Sequence, residues 1–170
     1  MKVSLSFVNG LISGHIVDEN KIKSLIRQID TQDNAIRERI WSELRLLGEG
    51  IVPYFAEFYP QAKKLHARRD IVFHIIGYTR TCEKAFQLGV LALNDKSSIV
   101  RYRACCAVAY SLRSEAIPRL EALLNHKDHR TAEDARAAID AIENRNHNYF
   151  IDRGHTGKIR WHVNEDDGKN

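Results

Sequence analysis

Eight histidines, three cysteines and a set of evenly spaced arginines are the residues of this 170-residue chain whose chemistry invites a function. His126 and His129 stand three apart in a polar turn, His155 and His162 fall on opposite arms of an expected hairpin, and no cysteine stands at ligand spacing beside any of them. His147-Asn148, and His162 with Asp152, supply residue types that nucleases use, but their spacing fixes no geometry. His66 and His74 read as packed or flanking residues. Cys105 and Cys106 are adjacent and point to different faces, so the cysteines read as small core residues in a reducing cytoplasm. There is no glycine-rich phosphate loop, no serine nucleophile motif and no carboxylate pair patterned to raise one pKa. The expectation is a protein without catalytic residues, metal or cofactor.

The arginines say more. Residues 61–113 hold ten Lys or Arg (63, 64, 68, 69, 80, 84, 96, 101, 103, 113) and three acids (70, 83, 95), in a chain of net charge +4. A middle this basic suits an acidic protein surface or a phosphate backbone. The expected second helices mix Glu57, Glu83, Glu115 and Glu121 with Lys63, Lys64, Lys84 and Arg119, which makes phosphate tracking inefficient. Arg37, Arg69 and Arg101 recur at one place in successive repeats, and the first reading of that ladder is structural support, with Asp33, Asp70 or Asp95 as partners.

The elements that carry these residues follow from periodicity. In residues 97–125, Val100, Ala104, Ala107, Val108 and Leu112 recur at helical spacing behind a Ser97 or Ser98 cap. Ile117, Leu120, Leu123 and Leu124 then mark a second helix with Pro118 in its first turn. The same ruler falls on Ile36, Arg37, Ile40 and Leu44, on Arg68, Arg69, Val72 and Ile76, and on Thr131, Ala132, Ala135 and Ile139, a period of 31 to 32. Asp18 should cap a helix to Ile29. Thr31 or Asp33 should start the next, ending near Gly48. Pro60 should end the helix after Ile51, and further helices are expected at 68–79, 81–93 and 131–143. Residues 1–17 suit either a degenerate first helix, with Ser4, Val8 and Ile12 on the ruler, or a short strand. No secretory cleavage site follows Lys2, and no apolar run approaches a membrane span.

Near Asn148 the pattern changes. Tyr149, Ile151 and Arg153, then Ile159, Trp161 and Val163, alternate around Gly154-His155-Thr156-Gly157. The spacing predicts a β-hairpin over 147–164 that either caps the helical domain of 1–146 or offers an edge to a partner, followed by a solvated tail at 165–170.

Val100-Arg101, the small residues after it, and Ala116-Ile117-Pro118-Arg119-Leu120 resemble the HEAT-repeat family, in particular the short bacterial HEAT-like repeats of the phycobilin-lyase type. The match is strong over 97–142, fair over 33–66 and weak over 67–95, where Arg68 replaces the apolar anchor. The resemblance implies an all-α fold, an α-solenoid of four to five helical hairpins, whose curved face binds another macromolecule. The HEAT-like DNA glycosylases share that architecture, but their acidic catalytic residue and aromatic cradle find no place here.

A small cytoplasmic stack of this kind with no reaction centre also looks like bacterial immunity proteins that block a toxin domain. That function is the first expectation, with nucleic-acid binding and a general cytoplasmic adaptor as rivals. The expected contact residues are Arg69, Arg80, Lys84, Arg101, Arg103 and Arg113, together with Tyr54, Tyr59, Tyr78, Tyr102 and Tyr110, facing an acidic toxin surface.

Overall fold

The computed structural model describes residues 18–164 and Asp167. Ser4, Val8 and Ile12, the proposed ruler positions of a first helix, lie outside the described residues. Eight α-helices follow in order: α1 Glu19–Gln28, α2 Asn34–Arg45, α3 Val52–Phe58, α4 Leu65–Ile75, α5 Glu83–Ala92, α6 Ser98–Ser111, α7 Ile117–Glu121 and α8 His129–Glu143. The starts of α2, α4, α6 and α8 step by 31, 33 and 31 residues, close to the period read from the sequence.

Local chemistry places the helix ends. Asp18, Asp33 and Asp128 each precede a helix and accept from its first free N–H groups, at Asn20, at Ala35 and Ile36, and at Arg130 respectively. Pro53 and Pro118 sit in the first turns of α3 and α7, where no N–H is needed. Pro60 stands in a 3-10 turn after α3 ends at Phe58, and Gly48 leaves α2 with φ +52°. Ser97 occupies the N-cap position of α6 without a side-chain cap bond.

Packing is by neighbours. Helix α6 lies against α4, α5 and α8, while α3 lies against α1 and α5. Helix α6 is buried almost all round: Val100, Arg101 and every residue from Ala104 to Ser111 is shielded. Its small side chains let other elements come close; a Cβ built on Gly89 of α5 would sit 3.3 Å from that of Ala107. Trp41, Phe55, His74 and Tyr78 form an aromatic cluster joining α2, α3 and α4, with centroids 5.5 to 6.0 Å apart.

Arginines tie the pairs together. Arg68 of α4 donates from Nε to Asp95 Oδ2 at 2.8 Å and from Nη1 to the carbonyls of Ala62 and Lys63. Arg101 of α6 donates from Nη2 to Asp128 Oδ2 at 2.8 Å, from Nε to Thr131, and from Nη1 to the Asp95 carbonyl. Each clamp joins residues 27 apart. The recurring arginine is therefore Arg68 followed by Arg101. Arg69, which the ruler favoured, pairs with its neighbour Asp70 instead.

No strand occurs among the described residues, which corrects the expected β-hairpin. His147–Phe150 form a 3-10 turn, and the chain from 151 to 164 returns along the helices without a backbone ladder. Side chains hold it there: the Trp161 N–H donates to Asn148 Oδ1 at 2.7 Å, and Asn164 donates to the Gly77 carbonyl.

Candidate functional site: an arginine-lined cleft

A cleft of about 520 Å³ opens where this returning segment crosses the ends of α6 and α8. Arg80, Arg145 and Arg160 line it with His147, Asn148 and Tyr149; Leu112 and Ile159 add apolar wall.

Each wall has a local origin. Helix α8 stops at Asn144, Arg145 turns left-handed at φ 53°, and the Asn146 side chain caps the 3-10 turn by accepting from the Asn148 N–H. Asp152 then closes a loop, accepting from the Thr156 N–H and hydroxyl and from the Gly157 N–H at 2.7 to 3.1 Å. Farther on, Asp167 accepts from Arg80 and Tyr110 on one oxygen and from the Val163 and Asn164 N–H groups on the other. Asp167 was expected in a solvated tail; its side chain is 3% exposed.

Electrostatically the two acids are spent. Burial works to raise Asp152, yet the donors of Thr156 and Gly157 hold it below the usual carboxylate range. Burial likewise opposes Asp167, which the Asn164 and Val163 N–H groups and the Tyr110 hydroxyl hold low. Arg80 is fixed by the Tyr110 carbonyl, Asp167 and His147 Nδ1, and its guanidinium lies 3.9 Å from the Tyr110 ring centroid. Arg145 and Arg160 are exposed, and among the described residues neither head group has an ion-pair or hydrogen-bond partner. The cleft therefore presents positive charge.

His147 shows its tautomer through its partners. Arg80 can only donate, so Nδ1 accepts from it at 2.9 Å, and Nε2 carries the proton given to the Trp161 carbonyl at 2.8 Å. Burial lowers its pKa, with Arg80 adding to the effect. With both nitrogens engaged, the imidazole acts as a post for the returning segment. The buried thiols are equally settled: burial pushes Cys106 up to about 12 and raises Cys105. No group of three metal-ligating side chains occurs among the described residues.

The residues expected from sequence do not form one surface. Arg101 is buried in its clamp and Tyr59 is buried with its hydroxyl on Asp95, so neither is free to meet a partner. Arg113 lies over Phe86 and pairs with Glu83 and Glu115, Arg103 lies over Phe73, and Arg69 pairs with Asp70. Tyr54, Tyr78 and Tyr102 are half-buried against the core, and Tyr110 is buried. Lys84 is exposed on α5. Arg80 alone of the set lines the cleft. No motif in the sequence singles out Arg145 or Arg160; Arg145-Asn146-His147-Asn148 directly after a helix is the one local signal of the cleft. Compared with family models, curated proteins and solved structures, the chain matches none.

Proposed function

We propose that this chain is a HEAT-like α-solenoid of four to five helical hairpins that binds another protein, as a cytoplasmic immunity protein neutralising a cognate toxin. The observation that supports the repeat reading is the recurrence of one clamp, Arg68 to Asp95 and Arg101 to Asp128, at the same 27-residue span. Such a device joins neighbouring units that cannot bury their apolar faces alone. The basic excess supports a partner with an acidic surface, and steering by net charge acts on association rate more than on residence time. Among the described residues no helix is long and apolar enough to cross a membrane.

The test is co-expression with the product of the neighbouring reading frame. Survival restored by this chain, with a complex of defined stoichiometry, supports the reading. Lys84→Glu should then slow association in a salt-dependent way. Absence of rescue overturns it, and retention on DNA that weakens steeply with salt would favour nucleic-acid binding.

A further inference from the structure

We infer that the cleft between the ends of α6 and α8 and the returning C-terminal segment binds a phosphorylated small molecule, with Arg145 and Arg160 gripping the phosphate and Arg80 beneath them. This stands apart from the protein-binding reading and does not depend on it. Three features carry it.

The first is size and lining. About 520 Å³ is within the range that encloses a nucleotide-sized molecule, and far more than one partner carboxylate fills. Leu112, Ile159 and Tyr149 give the lining apolar surface for an organic moiety beside its polar groups.

The second is the charge balance. Asp152 and Asp167 are the acids of the lining, and both carboxylates are turned to donors within the protein. Arg145 and Arg160 keep unpaired guanidinium forks among the described residues, and Arg80 uses three of its five N–H groups, leaving two. A guanidinium fork meets two phosphate oxygens at once, which gives a phosphate or pyrophosphate more contacts here than a single carboxylate.

The third is backbone strain. Three non-glycine residues among those described have left-handed φ, Leu112 at 55°, Arg145 at 53° and His155 at 51°, and the first two line this cleft. Both follow the end of a helix, where glycine is the unstrained choice. Larger residues there are strained, and keeping them sets both side chains in the cleft wall.

The test is calorimetric titration of the full chain in low-salt buffer with inorganic pyrophosphate, ADP, adenosine and citrate. Pyrophosphate and ADP should bind and weaken as salt is added, while adenosine and citrate bind at least about tenfold more weakly. The double variant Arg145→Asn with Arg160→Gln should lose at least about tenfold in affinity for pyrophosphate at an unchanged melting temperature, asparagine being tolerant of left-handed backbone. Lys21→Gln on α1 should bind as the parent does. Should the double variant fold poorly, the guanidinium NMR signals of Arg145 and Arg160 in the parent protein should shift on adding pyrophosphate. Absence of binding by both phosphates, equal binding of citrate, unchanged affinity in the folded double variant, or shifts confined to other arginines would each overturn the inference.

Discussion

Asp95 receives Arg68 on its carboxylate, Nε to Oδ2 at 2.8 Å, and gives its own carbonyl to Arg101 at 2.8 Å. One residue in the turn before α6 thereby belongs to two successive clamps. The Tyr59 hydroxyl at 2.7 Å and the Ser97 N–H complete its shell. Burial works against the charge, and these donors together with Arg68 hold the carboxyl below the usual carboxylate range.

Removing one member of a buried ion pair strands the other. Arg68→Ala should lower the free energy of unfolding by about 3–5 kcal/mol, measured by urea titration. Arg68→Lys should restore little, because an ammonium cannot reach the Asp95 carboxylate and the Ala62 and Lys63 carbonyls together. A loss below 1 kcal/mol (about the value of an exposed pair) would show that the clamp adds little to the fold.

His74 gives a pH prediction. Its imidazole lies among Trp41, Phe55 and Tyr78, and burial, followed by the charge of Arg45, lowers its pKa to about 4. A lowered folded pKa means that the neutral ring stabilises the fold above the unfolded value near 6.5, and that this is lost as pH falls from 6.5 towards 4. The loss is on the order of 3 kcal/mol, and His74→Phe should remove that part of the slope. His147, also lowered, shares the window, whereas Asp95, Asp152 and Asp167 lose their contribution only at lower pH. Asp134, which burial raises, acts with the opposite sign, so the variant and parent curves are compared by difference.

Gly89 sets the approach of α5 to α6. A Cβ there would meet the Ala107 Cβ at 3.3 Å and Val108 Cγ1 at 3.6 Å. Gly89→Ala should be nearly neutral, since about 1 kcal/mol of helix propensity offsets the tight contact. Gly89→Val should destabilise by roughly 1–3 kcal/mol through overpacking. Thermal melts of the two variants check the pair, and equal behaviour would show that the helices can part freely.

Leu112 closes α6 in the left-handed region, φ 55° and ψ 24°. Leu112→Gly should raise stability by up to about 1 kcal/mol, read from the urea midpoint, while removing apolar wall from the cleft. A fall in stability would mean that the contacts of the leucine side chain outweigh the relief of its backbone.

Much of the helical framework was legible because its signals are local. The caps at Asp18 and Asp33, the first-turn Pro118 and the stop at Gly48 each act within four residues, whereas the Asp128 cap that starts α8 two residues before the expected Thr131 emerges only from the structure. The clamp was read one residue out of register: the ruler stressed Arg69, but Arg68 faces inward, and only tertiary packing distinguishes two neighbouring arginines. The hairpin failed for a different reason. Trp161 and Val163 lay one side of an extended chain on the protein while Ile159 stays exposed, and Asn148 and Asp167 supply bonds that a paired strand would otherwise give. The arginine cleft was hidden because its members come from positions 80, 145 and 160, which no sequence window brings together.

The two-sided role of Asp95 has a bearing on how the protein comes apart. Helices held to their neighbours by apolar contacts alone open locally, a few at a time. Threading consecutive joints through a single aspartate couples their rupture, so the stretch from α4 to α8 should melt in one step, and hydrogen exchange there should report a single opening event.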